Sequence, residues 1–427
     1  MKAGFCANVE QWLAVRTKGR DHVFRTVDLF AGAGGLALGV SLAGFTTSAV
    51  LEWNRWACDT LRENQRRGFP ALSGTPVYEG DVREFDWSSI PDGIDLITGG
   101  PPCQPFSLGG KHRAHGDERD MFPATADVIR RTRPKAFLIE NVRGLTRPSF
   151  ADYFRYIMLQ LELPGLSPRP EESWLDHLAR LKKERSSGGS RFSDLTYDVT
   201  STIVDAADYG VPQRRERVFI VGFRSDLGVE WSFPPSTHSR DALLRSQWID
   251  EEYWERHIGV PRYDLDSFPG LSARVERIRG TIDYGDFLPW RTVRDAIAGM
   301  PEPNLDESPL FFDHMLQPGA KPYPGHTGSV LDMPAKTLKA GDHGVPGGEN
   351  MFRLDDGALR YFTVRESARL QTFPDTYVFH GSWTETMRQL GNAVPVSLAR
   401  KIASSILKRL AENALSRLAK AERRSAV

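Results

Sequence analysis

The sequence has little cysteine, no net charge and no long apolar run. Only three cysteines occur among 427 residues (Cys6, Cys58 and Cys103), which excludes a disulfide framework and is typical of a reducing, intracellular setting. Lys and Arg total 55, as do Asp and Glu, so a nucleic-acid surface would have to be a local patch. Because neither a membrane-spanning run nor a signal-peptide core is found, we expect a soluble, cytosolic protein.

The order of apolar segments predicts an α/β fold. Hydrophobic residues make up 40% of the chain and charged residues 26%, a globular composition with room for a large domain and a smaller one. Helix-like stretches separate the strands, which favours a mainly parallel sheet with helices on both faces. The predicted strands are 25–30, 46–52, 76–81, 93–98, 135–140, 198–206 and 217–223.

Two stretches interrupt this alternation. Residues 162–193 read as a loop-like insertion that contains a charged helical piece. Residues 224–360 lose the strand–helix order and are rich in Pro, Gly, Trp and Tyr, which indicates a separate, irregular small domain. Helix-like segments return after it and end in a basic, amphipathic C-terminus.

A glycine-rich turn follows the first strand. Gly32, Gly34 and Gly35 lie in GAGGLA, which fits the G-x-G-x-x-G/A pattern, and Glu52 follows at the ~20-residue offset of a ribose-binding carboxylate. Nicotinamide, flavin and S-adenosylmethionine (AdoMet) proteins share this pattern, and a plain strand-to-helix turn also explains it. The turn favours a nucleoside-containing ligand without identifying it.

Three residues near strand ends extend this interpretation. Trp53 could stack on an adenine ring, Asp81 could accept from an exocyclic amine, and Val82 could offer its backbone N–H. Each has a structural alternative, since a lone Trp is usually a core residue and an Asp at a strand end usually caps a turn.

Cys103 lies in PPCQPFS, between prolines and glycines. A thiol is suited to adding to a soft electrophilic carbon and leaving again, and the prolines would fix its direction. The alternative is a small buried residue, but PPCQPFS is a poor core segment. The following SLGGKHRAHGDERD is predicted to be a mobile lid. A metal site at His112 and His115 is disfavoured, because acidic or thiolate partners are missing.

Two further groups are predicted to reach the same edge of the sheet as Cys103. Glu140 ends the strand KAFLIE, where burial would keep a carboxyl protonated and able to donate. Arg215 and Arg217 alternate in QRRER, so they could hold a carbonyl oxygen or a phosphate on one side of the chain. A turn-capping glutamate and a solvated charge run are the structural alternatives.

Six blocks in series carry a family resemblance: DLFAGAGG, GGPPCQPFS, ENV, QRRER, RESARLQTFP and QLGNAVPV. Together they resemble the cytosine-5 DNA methyltransferase family, in particular its type II restriction-modification members. The resemblance implies an α/β, Rossmann-like AdoMet-dependent domain with a smaller, irregular target-recognition domain. The implied bounds are an N-terminal extension at 1–24, a catalytic domain at 25–230 completed by 385–427, and target recognition at 231–384.

The resemblance also assigns roles. It implies that Cys103 attacks C6 of a flipped-out cytosine, that Glu140 donates to N3, and that Arg217 holds O2 with Arg215 nearby. The implied AdoMet-binding residues are Phe30, Gly32, Gly34, Gly35, Glu52, Trp53, Asp81, Val82, Pro102, Asn392 and Val394. Base-edge contacts would come from 231–384, where 291–297 and 334–350 lie, while RESARLQTFP would organise that domain.

The expected partner is double-stranded DNA, which a monomer would bind. Methylation would protect this DNA from a cognate restriction endonuclease. Three alternatives stay open. A tRNA cytosine-5 methyltransferase would use the same catalytic set. A nicotinamide or flavin oxidoreductase leaves PPCQ, ENV and QRRER unexplained, and an inactive DNA-binding relative is disfavoured by the intact Cys103, Glu140 and Arg217.

Overall fold

The alternating apolar segments form a sheet that carries the rest of the chain. The computed structural model of the protein describes residues 23–102, 120–187, 195–262, 264–265, 270–281, 285–304, 311–322, 327–340 and 350–425. Cys103, the segment that follows it to residue 119, and the first 22 residues lie outside the described residues.

Within the described residues, seven strands form one sheet in the order β3-β2-β1-β4-β5-β7-β6. The first five are parallel to one another, whereas β7 runs antiparallel to both β5 and β6. The predicted mainly parallel sheet is therefore confirmed, with every strand near its predicted position. The strands are β1 (Arg25–Leu29), β2 (Thr46–Glu52), β3 (Val77–Glu79), β4 (Leu96–Gly99), β5 (Ala136–Val142), β6 (Tyr197–Asp205) and β7 (Glu216–Arg224).

Helices cover both faces of this sheet, because the strands are apolar on both sides. On one face, α1 and α12 share a core with Leu96 and Leu138 of the sheet. On the other face, α3, α4 and α5 pack on Ile97 and Phe137. The helices of this part are α1 (Gly35–Leu42), α2 (Arg55–Arg66), α3 (Phe122–Thr132), α4 (Ala151–Glu162), α5 (Trp174–Ser186) and, from the end of the chain, α12 (Val396–Ser425).

The predicted insertion contains α5, which packs against α4. His177 is buried; it bonds the Tyr156 hydroxyl at 2.9 Å and the carbonyl of Leu166 at 2.7 Å. The rings of Trp174 and Tyr156 also meet, with centroids 5.7 Å apart. The charged helical piece is thus tied to the large domain by an aromatic cluster.

The strand–helix alternation stops after β7, as the sequence predicts. Short elements follow, in a two-stranded sheet (β8–β9) and a three-stranded sheet (β10–β11–β12). They are β8 (His238–Ser239), α6 (Arg240–Trp248), α7 (Glu252–Arg256), α8 (Leu271–Arg279), β9 (Leu288–Pro289), α9 (Val293–Ile297), β10 (Ser329–Val330), β11 (Met351–Arg353), β12 (Leu359–Tyr361), α10 (Val364–Leu370) and α11 (Trp383–Asn392).

The C-terminal part of this irregular region shares a core with the large domain. Phe362, Leu370 and Tyr377 belong to one apolar cluster with Ala33 and Leu61, from the glycine turn and α2. The buried Arg365 donates to three main-chain carbonyls, those of residues 312, 374 and 377, so that RESARLQTFP organises its surroundings. The domain bounds drawn from the sequence stay a prediction.

Helices α1 and α12 approach each other closely at Gly39. A Cβ added there would lie 2.4 Å from the Cβ of Ala399 and 2.6 Å from the carbonyl oxygen of Val396. Real Cβ atoms do not come so near to backbone, so only glycine permits this packing.

We predict that Gly39→Ala destabilises the protein although alanine is the better helix former. Overpacking against the α12 backbone should cost about 1–3 kcal/mol, more than the ~1 kcal/mol gained in helix propensity. Urea unfolding would measure the change, with Ser41→Ala in the same helix as the control. Stability equal to or above that of the unmodified protein would contradict the packing argument.

Candidate active site

The antiparallel pairing of β5 and β7 brings a carboxylate and a guanidinium together at one edge of the sheet. Val142 pairs with Arg217, so the start of β7 lies beside the end of β5. The Nε atom of Arg217 is 3.0 Å from Oε1 of Glu140, and both side chains are largely buried. Arg217 also donates through Nη1 to the carbonyl of Glu216 at 2.8 Å. The predicted pair therefore meets at the carboxyl ends of the parallel strands, where α/β sheets bind ligands.

Burial decides the protonation of Glu140. Loss of water raises the pKa of Glu140, and this effect outweighs the charges of Arg217 and Arg215, which lower it. A raised pKa increases the fraction of the carboxyl that holds a proton to donate to a bound group. The site thus offers an acid beside a fixed cation.

Arg215 lies behind this pair and bridges distant parts of the chain. Only 1% of its surface is exposed, and it donates to the carbonyls of Gly391 at 2.8 Å and Leu338 at 3.3 Å. Its charge also acts on Glu140 and lowers the pKa of that carboxyl. Because both Nη atoms bond main-chain carbonyls and the side chain is buried, the geometry suits a positioning residue better than a substrate contact.

The segment that leads to Cys103 is held against Glu140. The side-chain amide of Asn141 donates to the carbonyl of Pro101 at 2.9 Å, in a buried bond. A Cβ on Gly100 would lie 3.3 Å from Oε2 of Glu140, so the backbone passes close to the carboxyl. Pro102 is exposed at the end of this stretch, and Cys103, the next residue, lies outside the described residues.

The glycine turn after β1 has an unusual backbone. Phe30, Gly32 and Gly34 all have positive φ, at 54°, 54° and 84°, a region that favours glycine. No heavy atom of the described residues lies within 4 Å of a Cβ built on Gly32, so the turn faces open space at this point among them. Strained backbone of this kind, next to a helix start and open space, is typical of a ligand cradle.

Glu52 faces the same turn from the end of β2. Its carboxylate accepts from the N–H groups of Gly32 at 2.7 Å, Trp53 at 3.0 Å and Asn54 at 2.7 Å. Burial nevertheless raises the pKa of Glu52. Trp53, in contrast, is 71% exposed, which leaves its indole ring free to receive a planar group.

The two residues predicted after the third strand contribute less to the candidate ligand site than Glu52 and Trp53 do. The carboxylate of Asp81 accepts from the backbone N–H and the guanidinium of Arg83, and this pairing lowers the pKa of Asp81. Val82 is buried in the core of the sheet. An amine bound at Asp81 would therefore have to share this carboxylate with Arg83.

The far end of the chain returns to the glycine turn. The carbonyl oxygen of Val394 would lie 2.4 Å from a Cβ on Gly35, so this contact requires glycine. Asn392, at the end of α11, is exposed. The structure thus brings QLGNAVPV beside GAGG, across more than 350 positions of sequence.

Sequence reasoning missed an acid beneath the turn. Asp28 is fully buried in β1, where it accepts from the hydroxyl of Thr98 at 2.5 Å, and burial raises the pKa of Asp28 to about 7. Its Oδ2 atom has no hydrogen-bond partner among the described residues. The available signal was a single carboxylate inside an apolar strand, TVDLF.

Two segments predicted to lie in the base-reading domain make ion pairs and hydrogen bonds within the protein. Arg294 of RTVRDAI pairs with Asp332 and Asp355, each at 2.6 Å. The backbone of Ala335 exchanges hydrogen bonds with the QRRER region, accepting from the N–H of Arg214 at 2.8 Å and donating to the carbonyl of Pro212 at 3.0 Å. Base reading through these residues is therefore disfavoured.

Comparison with known proteins identifies the family to which the chain belongs. The protein-family model of the C-5 cytosine-specific DNA methylases matches residues 24–168, 180–256 and 328–408 of the sequence. The chain belongs to this family. It is a DNA cytosine methyltransferase, which confirms the resemblance seen in the six sequence blocks.

Curated relatives match over most of the chain. The type II methyltransferase M.PspPI of Psychrobacter is 31% identical, with 91% of this chain and 80% of the relative covered. M.NgoMIV of Neisseria gonorrhoeae is also 31% identical, with 91% and 98% covered. The crystal structure of the Dnmt2 methyltransferase of S. pombe, 17% identical, has a TM-score of 0.51 and covers 91% and 99%, which supports the α/β methyltransferase fold.

Two stretches between the matched segments find no counterpart in the family model. Residues 169–179 fall in the predicted insertion, and residues 257–327 fall in the predicted target-recognition domain. Among the helices that the structure describes, none is long and apolar enough to cross a membrane.

We predict that Glu140→Gln makes stability less dependent on pH. Below the ordinary pKa of 4.5 both folded and unfolded carboxyls hold a proton, so the two proteins should behave alike. As pH rises, the unfolded carboxyl ionises first, and the unmodified protein should lose about 1.4 kcal/mol relative to the variant for each unit by which folding raises the pKa. Urea unfolding between pH 4 and 9 measures this, and parallel curves would contradict it.

Proposed function

We propose that this protein transfers a methyl group from AdoMet to C5 of a cytosine in a specific duplex DNA sequence, through a covalent bond between Cys103 and C6. The observation that carries the proposal is the Glu140–Arg217 pair, with Asn141 fixing Pro101 two residues before Cys103. An acid, a cation and a thiol-bearing loop at one strand edge are the groups that such an addition needs.

The residues around the glycine turn fit AdoMet. The open space at Gly32, the three N–H groups gathered at Glu52 and the exposed Trp53 suit a nucleoside. When bound, AdoMet supplies an electrophilic methyl group. The residues proposed to hold it are Phe30, Gly32, Gly34, Gly35, Glu52, Trp53, Asp81, Val82, Pro102, Asn392 and Val394.

The chain's own residues prepare the cytosine. The thiolate of Cys103 adds to C6 while Glu140 donates a proton to N3 and Arg217 holds O2, so that C5 becomes nucleophilic. After methylation, a base removes the C5 proton, the C5–C6 double bond reforms as the Cys103 sulfur leaves, and N3 returns its proton to Glu140. Arg215 acts on Glu140 through its charge and joins the start of β7 to the carbonyl of Gly391.

The target base has to leave the helix for this chemistry, at a cost of a few kcal/mol. We propose that a monomer suffices for this, since one chain supplies both the sheet edge and the irregular region that faces it. Residues 257–327, which the family model does not match, are the proposed source of sequence specificity. The relatives are named type II methyltransferases, and we propose for this chain a cytoplasmic role in protecting DNA from a cognate endonuclease.

We predict that labelled methyl groups pass from AdoMet to C5 of cytosine in unmodified duplex DNA. Cys103→Ser should reduce transfer to background, and Glu140→Gln should slow it by about 10²–10⁴-fold, because the acid that activates the base is lost. Cys6→Ser, outside the region that the family model matches, should leave transfer unchanged. Bisulfite sequencing of the product then identifies the modified site.

The same assay separates the alternatives. Label on tRNA alone would overturn the DNA substrate and keep the chemistry. Label on neither DNA of mixed sequence nor tRNA would contradict the proposed activity, and transfer by the Cys103→Ser variant would contradict the covalent route.

A further inference from the structure

The phenol of Tyr377 contacts the glycine turn from the far end of the chain. Its hydroxyl donates to the carbonyl of Ala33 at 2.7 Å, in a buried bond between residues 344 positions apart. Ala33 lies between Gly32 and Gly34, the two turn glycines with positive φ. The Tyr377 oxygen is also 3.3 Å from a Cβ built on Gly34, so it lies directly against the turn.

The position of this phenol is fixed by its own surroundings. Tyr377 is fully buried, and its ring lies 5.2 Å from that of Phe373 and 5.4 Å from those of Phe69 and Phe379. Its carbonyl accepts from the buried Arg365 at 2.5 Å. The ring therefore has no room to follow a moving turn, and the hydrogen bond holds Ala33 to a rigid support.

The backbone on both sides of Tyr377 is tied down as well. The N–H of Tyr377 donates to the carbonyl of Pro374 at 3.0 Å. The next residue, Val378, exchanges two hydrogen bonds with the side chain of Asn64, at 2.7 and 3.0 Å. Since Asn64 belongs to α2, the support is anchored to the large domain itself.

The turn is thus supported by the C-terminal part of the chain at two of its residues, while a third residue faces open space among the described residues. Gly35 rests on the carbonyl of Val394 and Ala33 on the hydroxyl of Tyr377, whereas Gly32 faces free space. A turn with three positive φ angles is conformationally costly, and a binding surface that is ordered in advance loses less freedom when a ligand arrives.

We propose that Tyr377 is a positioning residue for cofactor binding, which holds the glycine turn in its ligand-binding shape through the Ala33 carbonyl. This inference rests on the proposed function, because it takes AdoMet as the ligand of the turn. Tyr377 does not touch the ligand space at Gly32, and it acts only through the turn backbone.

The test is the Tyr377→Phe variant, which removes one oxygen and keeps the ring. A matched control is Tyr197→Phe. Tyr197 is 1% exposed and donates to the carbonyl of Pro134 at 2.7 Å, a similar buried bond that lies at the opposite end of the sheet strands. Both variants should lower the melting temperature by a similar few degrees, since each leaves a buried carbonyl unpaired.

Cofactor affinity should separate the two variants. We expect Tyr377→Phe to raise the dissociation constant of AdoMet, measured by calorimetry, and its KM about 5- to 50-fold, the range of one lost buried hydrogen bond. At saturating AdoMet, kcat should stay within about twofold, and Tyr197→Phe should bind AdoMet within about twofold of the unmodified protein.

Equal AdoMet affinity in both variants, with equal loss of melting temperature, would overturn the proposal and leave Tyr377 a structural residue. A loss of kcat at saturating AdoMet without a change in KM would overturn it too. If the unmodified protein itself binds no AdoMet, the proposed function fails at that step, before the variants are compared.

Discussion

The buried carboxyl of Glu140 is the group around which the active site is arranged. It lies near the end of β5. The antiparallel β7 brings the Nε atom of Arg217 to 3.0 Å from its Oε1 atom, and a Cβ built on Gly100 would lie 3.3 Å from its Oε2 atom. A buried charge without a partner would be costly, so the carboxyl needs Arg217 or a proton. The carboxyl can therefore be an ionised partner of Arg217 or a neutral acid. The proposed chemistry uses both states, since cytosine requires a proton donor at N3 and a fixed cation at O2.

The same edge depends on segments from distant parts of the chain. Arg215 joins the start of β7 to the carbonyls of Leu338 and Gly391, and Tyr377 joins the C-terminal part to the glycine turn. The blocks that carry no chemistry, RESARLQTFP and part of QLGNAVPV, thereby act on the site through backbone contacts. Their sequence pattern is explained by packing: Arg365 bonds three carbonyls, and Gly35 and Gly391 each admit a neighbouring backbone that a Cβ would exclude.

Sequence alone predicted the sheet, because short apolar runs and glycine turns are local signals. It also placed Glu140, Arg217 and Glu52 at strand ends, which the structure confirms, and the family model confirms the resemblance. Contacts between residues far apart in the sequence could not be predicted, because neither the Tyr377–Ala33 bond nor the Arg294 ion pairs produce a local sequence pattern. Arg294 shows the reason, since an arginine in an irregular region looks the same in sequence whether it pairs with Asp332 or faces DNA.

The most direct test of the account is to identify the atom that bonds the target base. In duplex DNA synthesised with 5-fluorocytosine in place of every cytosine, the adduct cannot resolve, because the final step must remove a proton from C5 and fluorine cannot leave as a cation. With AdoMet present, we predict a denaturant-resistant complex whose proteolysis yields DNA linked to the peptide that contains Cys103. Linkage to Cys58 or Cys6, or methylation of ordinary DNA with no trapped complex, would contradict the covalent mechanism.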